Sequence, residues 1–195
     1  TLIVFSSDNG PVLNDGYYDD AVEKLGNHDP KGGLRGGKYS LFEAGTRVPF
    51  ITYWKGTIKP AVSEAIVCQM DLLASLATLT GTTETTTDSE DLLNTLLGKS
   101  DKGRDNLVLE ATGKTALRSG DFLYIPAYKG KNLREKVGIE VGNFPYEQLY
   151  NVKEDKKQQN NLAESNPKKL LEMKTIFGKL RGVDYTTGVK EVQFR

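Results

Sequence analysis

The most constraining feature of this sequence is the apolar, β-branched run with which it opens, Thr1-Leu2-Ile3-Val4-Phe5. Such a run predicts a buried strand that begins at the first residue, as in a parallel sheet covered on both faces. A parallel strand without neighbours would leave both of its edges and both of its faces uncovered. We therefore expect the chain to be a fragment of a longer protein whose earlier strands lie outside it.

The composition fits a globular domain with enough apolar material for a core, because 37% of the 195 residues are hydrophobic and 27% are charged. Basic and acidic residues number 26 each, so bulk charge favours neither nucleic acid nor an anionic membrane as a partner. No stretch reaches the roughly 18 apolar residues of a membrane span. The single cysteine, Cys68, excludes an internal disulfide, and its apolar neighbours predict a buried thiol.

The first hundred residues carry strand and helix signals around one long loop. Residues 6–37 are polar and rich in glycine, and a loop of this length is usually functional or disordered. Residues 48–54 predict a second buried strand with a proline at its entry. Leucines at helical spacing after Asp71 predict a helix that ends at Gly81. Residues 89–98 predict a shorter helix that Ser89 caps.

The remainder of the chain predicts a small sheet and a helix. Glycines separate short strand-like runs at residues 107–110, 115–118, 121–128 and 149–152. Closely spaced strands with glycine turns predict an antiparallel sheet, and Asn166-Pro167 predicts the start of a helix. We therefore expect an α/β fold with two domains: residues 1–100 as part of an α/β domain, and residues 101–195 as an antiparallel-sheet subdomain with a C-terminal helix.

Two oxygen-bearing side chains, Asp8 and Asn9, follow directly on the predicted first strand. Ligand sites of open α/β sheets gather beyond the carboxyl ends of the strands, and these two groups suit a hard cation such as Ca²⁺ or Mg²⁺. The same residues before Gly10-Pro11 are also a common way to end a strand and turn the chain. Because calcium takes about 6–8 oxygen ligands, the other ligands of a metal site would have to come from elsewhere.

Lys38 follows two glycines, and backbone without side chains lets a lysine approach an anion closely. The spacing does not fit a P-loop, so a solvated loop lysine is the alternative interpretation. Arg35 and Arg47 are further cations nearby, and Glu43 is placed to form a salt bridge with either of them.

The order of these motifs resembles that of the type I sulfatases of the alkaline phosphatase superfamily. The segments that carry the resemblance are Phe5-Ser6-Ser7-Asp8-Asn9-Gly10, Lys31-Gly32-Gly33-Leu34-Arg35-Gly36-Gly37-Lys38 and Phe42-Glu43-Ala44-Gly45-Thr46-Arg47-Val48-Pro49-Phe50. Weaker similarity continues through residues 54–60, 69–76, 116–122 and 147–163. The resemblance covers nearly the whole chain and is strongest before residue 60.

The resemblance implies the C-terminal part of an alkaline-phosphatase-like α/β domain and roles for four residues. Asp8 and Asn9 match the pair that binds a divalent cation, usually calcium, with magnesium as the other candidate. Lys38 matches the catalytic lysine that binds the sulfate ester, and Arg35 lies on the same loop as a second substrate-binding candidate. A cation and an ammonium group together supply the positive field that a sulfate ester requires while its sulfur is attacked.

The chain departs from the family where the nucleophile is concerned. Family members carry a formylglycine made from Cys or Ser in a Cys/Ser-x-Pro-x-Arg motif, and Cys68 is followed instead by Gln69-Met70-Asp71. The only histidine, His28, stands in a polar loop and matches no catalytic position of the family. We therefore expect the formylglycine in the missing N-terminal half, and we expect this fragment alone to be inactive.

Three functions follow as hypotheses from these observations. The first is a sulfuric ester hydrolase that acts on aryl or carbohydrate sulfates, exported to the periplasm or secreted as bacterial sulfatases commonly are. The second is a phosphate or phosphonate monoesterase on the same scaffold, and the third is a non-catalytic binding module. The expected partners are the sulfate ester, the rest of the same protein and, through the uncovered first strand, a second copy of the fragment.

Overall fold

The structure, a computed structural model, describes residues 1–83 and 88–182. In chain order the elements are β1 (Ile3–Ser6), α1 (Glu43–Thr46), β2 (Phe50–Tyr53), α2 (Asp71–Thr80), α3 (Leu93–Leu96), β3 (Asn106–Ala111), β4 (Lys114–Ser119), β5 (Phe122–Ile125), β6 (Leu133–Arg134), β7 (Ile139–Glu140), β8 (Gln148–Asn151) and α4 (Pro167–Arg181). They group into two compact units. The first contains Thr1–Ser6 and Pro49–Leu107, and the second contains Ser7–Val48 and the described part of Val108–Arg195.

The glycine-rich loop after β1 therefore groups with the C-terminal half of the chain, together with α1. Both of the segments that carry the predicted site residues belong to this second unit. The domain division predicted from the sequence, 1–100 and 101–195, stays a prediction, and residues 183–195 of the second domain lie outside the described residues.

In the first unit, β1 and β2 form a two-stranded antiparallel ribbon in which Ile3 is opposite Tyr53 and Phe5 is opposite Ile51. Both strands were expected at these positions, but the expectation of a buried, parallel first strand is wrong. All four of these large side chains are more than half exposed, because within the described residues nothing covers this face of the ribbon. A run of apolar residues predicts a strand without specifying the direction of its partner.

The helix α2 confirms the prediction made from its leucine spacing, and Gly81 ends it in the left-handed conformation with a φ of 75°. Its first residue, Asp71, is fully buried and accepts two hydrogen bonds from the Arg104 Nε at 2.9 and 3.1 Å. Burial raises the pKa of the Asp71 carboxyl, but the guanidinium and two backbone N–H groups outweigh it and hold the pKa below 3.8. The predicted helix over residues 89–98 is shorter than expected, since the Ser89 hydroxyl accepts from the Ala74 N–H of α2 at 2.9 Å.

In the second unit, four strands form a sheet in the order β3-β4-β5-β8, and β5 pairs antiparallel with both of its neighbours. Alternate residues of β5 pack on opposite faces of the sheet. Leu123 and Ile125 belong to a core with Leu41 and Phe42, which directly precede α1. On the other face, Tyr124 packs edge to face with Phe177 of α4, with ring centroids 5.8 Å apart. The sheet thus packs between Leu41 and Phe42 on one face and α4 on the other.

The C-terminal helix and the antiparallel sheet both confirm the predicted fold class. The Asn166 side chain accepts a hydrogen bond from the Lys169 N–H at 3.2 Å, and Pro167 occupies the first turn, as its sequence indicates. Residues 133–140 form a short hairpin, β6–β7, that the sequence did not predict. Across the described ranges, no helix has the length and apolar character needed to cross a membrane.

Candidate functional site

The turn that carries Asp8 and Asn9 is fixed by the close approach of Gly10 to α1. The Gly10 N–H donates to the Gly45 carbonyl at 2.9 Å, and a Cβ atom on Gly10 would lie 1.6 Å from the Ala44 carbonyl oxygen. No side chain fits at this position. Packing therefore requires a glycine at the third position of the Asp-Asn-Gly motif.

Within this turn, the side chains of Asp8 and Asn9 present oxygen atoms. The Asn9 Nδ2 donates to the Gly10 carbonyl at 2.9 Å, and the Ser7 hydroxyl donates to the Asn9 carbonyl at 3.0 Å. Asp8 is exposed, and neither its carboxylate nor the Asn9 Oδ1 forms a hydrogen bond or ion pair with any other described residue. Both oxygens are accordingly open to a ligand.

The glycine loop brings the backbone of Lys38 against the same turn. The Lys38 N–H donates to the Pro11 carbonyl at 2.9 Å, and a Cβ atom on Gly37 would lie 2.8 Å from that same carbonyl oxygen. Gly36 has a φ of 93°, in the left-handed region that favours glycine. The structure therefore joins the backbones of the Asp-Asn turn and the Gly-Gly-Lys loop, which are distant in sequence.

The Lys38 side chain is half-buried, with its Nζ 5.6 Å from the centroid of the Tyr39 ring. The Cζ of Arg134, from β6, lies 4.1 Å from the centroid of the same ring. Tyr39 itself has a φ of 76°, which is uncommon for a residue with a side chain. The sequence analysis did not single out Tyr39 or Arg134, since nothing in the sequence around Arg134 indicates a contact with a loop some ninety-five residues earlier.

Arg35, the second substrate-binding candidate, has its guanidinium engaged by the protein. It donates to both carboxylate oxygens of Glu140, at 2.8 and 2.9 Å, and to the Gln158 carbonyl at 2.7 Å. It also lies 4.0 Å above the centre of the Phe42 ring. These contacts give Arg35 a bracing role that anchors the glycine loop to β7, while the substrate contact predicted for it stays a prediction.

Glu43 is buried, with only 4% of its surface exposed, and its carboxylate pairs with Arg47 at 3.3 Å. The proposed salt bridge with Arg47 is thus present, and that with Arg35 is not, because Arg35 pairs with Glu140 instead. A second cation, Arg118 of β4, lies 3.6 Å from the other Glu43 oxygen. The carboxylate therefore holds α1 against the sheet.

The donor set of Asp8 and Asn9 fits a hard cation but does not complete its coordination. One carboxylate and one amide oxygen are the ligand types that Ca²⁺ and Mg²⁺ prefer, and calcium takes about 6–8 of them. Among the residues that the structure describes, no three His, Cys, Asp or Glu side chains cluster as a metal site. Asp8 and Asn9 alone therefore leave most of the coordination positions of such a cation to other ligands.

Two further residues considered from the sequence, His28 and Cys68, carry no contact that indicates a function. His28 is exposed, and its backbone N–H donates to the Leu25 carbonyl at 3.1 Å. Cys68 of the first unit is half-buried, with its Sγ 3.4 Å from a carboxylate oxygen of Asp71. Burial and the neighbouring carboxylate raise the pKa of the Cys68 thiol, which disfavours a reactive thiolate.

The Arg35–Glu140 pair leads to a prediction about stability and pH. The hydrogen bonds from Arg35 lower the pKa of Glu140 below 4.5, so the pair stabilises the fold above pH 4.5 and loses its effect as the pH falls below that value. Glu140→Gln should cost about 1–2 kcal/mol at pH 7, less than a fully buried pair, because the Glu140 side chain is 41% exposed. Unfolding of both proteins from pH 7 to pH 3 measures this cost.

The difference between wild type and Glu140→Gln should shrink below pH 4.5 as the wild-type carboxylate is protonated. Glu135→Gln is the matched control on the same hairpin, because the Lys131–Glu135 pair is exposed on both sides and should contribute about 0.5 kcal/mol or less. A difference that stays constant down to pH 3 would show that the Glu140 charge does not carry the effect.

Comparisons with known proteins agree on one family. A sequence model of the Sulfatase family matches residues 1–82. An N-acetylgalactosamine-6-O-sulfatase of Bacteroides thetaiotaomicron is 39% identical over 180 residues, which are 90% of this chain and 35% of that protein. An arylsulfatase of Hemicentrotus pulcherrimus is 32% identical over 164 residues, 77% of this chain and 26% of that protein.

A solved structure gives the same result. Its description concerns the metabolism of multiple glycosaminoglycans by Bacteroides thetaiotaomicron. The match covers 93% of this chain and 39% of the chain in that structure, with a TM-score of 0.88 and 38% sequence identity. These matches define a chain with the alkaline-phosphatase-like α/β fold of the sulfatases. The chain belongs to the sulfatase family. It spans 35% of the length of the first relative named above.

Proposed function

We propose that this chain is the C-terminal part of a sulfuric ester hydrolase and supplies one side of its active site. Asp8 and Asn9 would bind a divalent cation, calcium or magnesium, and Lys38 would bind the sulfate group. The observation that carries this proposal is the hydrogen bond from the Lys38 N–H to the Pro11 carbonyl, which joins the two motifs through their backbones. A cation and an ammonium group held side by side suit a sulfate ester.

Each of the proposed site residues has a separate role in the proposed reaction. A metal ion held by Asp8 and Asn9 would supply positive field for the sulfate oxygens, and the formylglycine expected elsewhere in the protein would supply the nucleophile. The Lys38 ammonium offsets the negative charge that the sulfate oxygens carry as the bond between sulfur and the ester oxygen breaks. Gly36 and Gly37 leave the loop backbone without side chains, and they fix the position from which the lysine extends.

The proposed substrate is a carbohydrate sulfate, specifically 6-O-sulfated N-acetylgalactosamine. The 39% identical relative is named as an N-acetylgalactosamine-6-O-sulfatase, and the similarity covers 90% of this chain. The proposal includes a periplasmic or secreted location for the whole enzyme.

The proposed partner of the exposed ribbon face is the remaining part of the same protein. Ile3, Phe5, Ile51 and Tyr53 place four large apolar side chains on one uncovered face of the ribbon. Such a face is unusual in a monomer and favours burial against another surface. In the isolated fragment, self-association through this face is the expected substitute.

The experiment that tests the proposed function compares sulfate with phosphate. The complete protein should hydrolyse 6-sulfated N-acetylgalactosamine with a kcat/KM at least about 100-fold above that for the 6-phosphate, because its nucleophile and charges are arranged for a sulfate ester. The isolated 195-residue chain should hydrolyse neither substrate. Equal or faster phosphate hydrolysis by the complete protein would favour a phosphatase, and turnover by the isolated chain would refute the need for a second half.

A further inference from the structure

Two cationic side chains of the second unit, Lys38 and Arg134, lie near the aromatic ring of Tyr39. The Lys38 Nζ lies 5.6 Å and the Arg134 Cζ lies 4.1 Å from the centroid of Tyr39. These distances limit the separation of the two charged groups to about 10 Å or less. Both cations therefore stand beside the same loop, although they lie on different parts of the chain.

Neither charge is neutralised within the described ranges 1–83 and 88–182. No ion pair or side-chain hydrogen bond there involves Lys38 or the guanidinium of Arg134, which belongs to an exposed residue. The acids of the hairpin are engaged by other cations: Glu135 pairs with Lys131 at 2.8 Å, and Glu140 pairs with Arg35 at 2.8 Å. The hairpin thus presents Arg134 with its charge available to an external anion.

The position of the hairpin relative to the loop is fixed by backbone contacts. The Leu41 N–H donates to the Val141 carbonyl at 3.1 Å, directly after β7. A Cβ atom on Gly37 would lie 3.1 Å from the Ile139 Cδ1, so the hairpin packs closely on the glycine loop. The hairpin that carries Arg134 is consequently held against the loop that carries Lys38.

The backbone of Tyr39 adds an independent observation. Its φ of 76° is strained in a residue with a Cβ atom, and such strain persists only where the surroundings impose it. Here the fully buried Ser40 and Leu41 follow directly and anchor the chain. Strained residues cluster at ligand sites because they fix side chains in positions that an unstrained backbone would not provide.

We propose that Arg134 binds an anionic group on the sugar next to the one whose sulfate is bound by Lys38. The substrate is then a polyanionic glycan, and Tyr39 is the residue whose ring lies near both cations. This inference rests on the proposed function and extends it to substrate selection. A guanidinium suits this role because it binds carboxylate and sulfate groups through two parallel hydrogen bonds.

The test compares kcat/KM of the complete protein on four substrates that contain the same 6-sulfated N-acetylgalactosamine. These are the monosaccharide, a disaccharide with a neutral second sugar, one with a carboxylate on the second sugar and one with a sulfate there instead. For Arg134→Ala we expect a loss of about 10- to 30-fold, mainly in KM, on the anionic disaccharides and less than about 2-fold on the other two. The two anionic substrates show whether carboxylate, sulfate or both are bound.

Lys136→Ala is the matched control, because it removes one positive charge from an exposed position of the same hairpin. It should change every value by less than about 2-fold, while Arg134→Lys should retain part of the discrimination. An equal loss on all four substrates, or no loss with Arg134→Ala, overturns the inference. If instead Lys38→Ala retains full activity, the proposed function itself fails, so the two outcomes are distinguishable.

Discussion

Lys38→Ala should lower kcat/KM of the complete protein for its sulfate ester by about 100- to 1000-fold, the size of effect seen when one preorganised group that stabilises transition-state charge is removed. The loss should appear in kcat as well as in KM, because the charge on the sulfate oxygens shifts as the ester bond breaks. Lys38→Arg should restore activity only in part, since a guanidinium is wider and the loop is closely packed at Gly37.

The matched control for this variant is Lys31→Ala, an exposed lysine near the start of the same glycine-rich segment. It should leave kcat/KM within about 2-fold of wild type, because an exposed charge in high dielectric contributes little. Steady-state kinetics on the three purified variants measure both effects. If Lys38→Ala and Lys31→Ala had the same small effect, Lys38 would be a solvated loop lysine.

Gly10→Ala should have the second largest effect, on stability and therefore on the site. The added Cβ would lie 1.6 Å from the Ala44 carbonyl oxygen and 3.0 Å from the Gly45 Cα, which are backbone atoms that cannot rotate away. The loop must shift, at a cost of about 3 kcal/mol, which corresponds to a melting temperature about 6 °C or more below wild type. The shift would also displace Asp8 and Asn9, so the affinity for calcium should fall in the same variant.

Gly26→Ala provides the control for this prediction. Gly26 has a φ of 59° with no atom within 4 Å of an added Cβ, so the substitution carries left-handed strain without a clash and should cost about 1 kcal/mol. Thermal unfolding and calcium titration of both variants separate packing from backbone strain. Comparable melting temperatures for the two variants would contradict the packing account of the Asp-Asn-Gly turn.

The sequence predicted those parts of the fold that depend on local signals. The helix α4 was expected from Asn166-Pro167, and its cap is present, because capping is decided within a few residues. The pairing of β1 was not predictable in the same way. Its apolar run indicates a strand, but the antiparallel partner β2 lies more than forty residues away, and the exposure of Phe5 depends on what covers the ribbon.

In the candidate site too, contacts between residues that are distant in sequence could not be predicted. Asp8, Asn9 and Lys38 were singled out because the order of their motifs resembles a family, and the structure adds a hydrogen bond between Lys38 and Pro11 that joins the backbones of the two motifs. The partner of Arg35 could not be foreseen, since Glu140 lies more than a hundred residues later in a hairpin with weak strand signals. Arg134 belongs to that hairpin as well, and its contact with the Tyr39 ring follows only from tertiary packing.

A crystal structure of the complete protein with calcium and inorganic sulfate tests the central claim most directly. The account predicts a cation about 2.3–2.6 Å from an oxygen of Asp8 and from the Oδ1 of Asn9, with a sulfate oxygen within about 3 Å of the Lys38 Nζ. A bound sulfate whose oxygens contact other residues, with the Lys38 Nζ directed into solvent and no cation at Asp8 and Asn9, would contradict it.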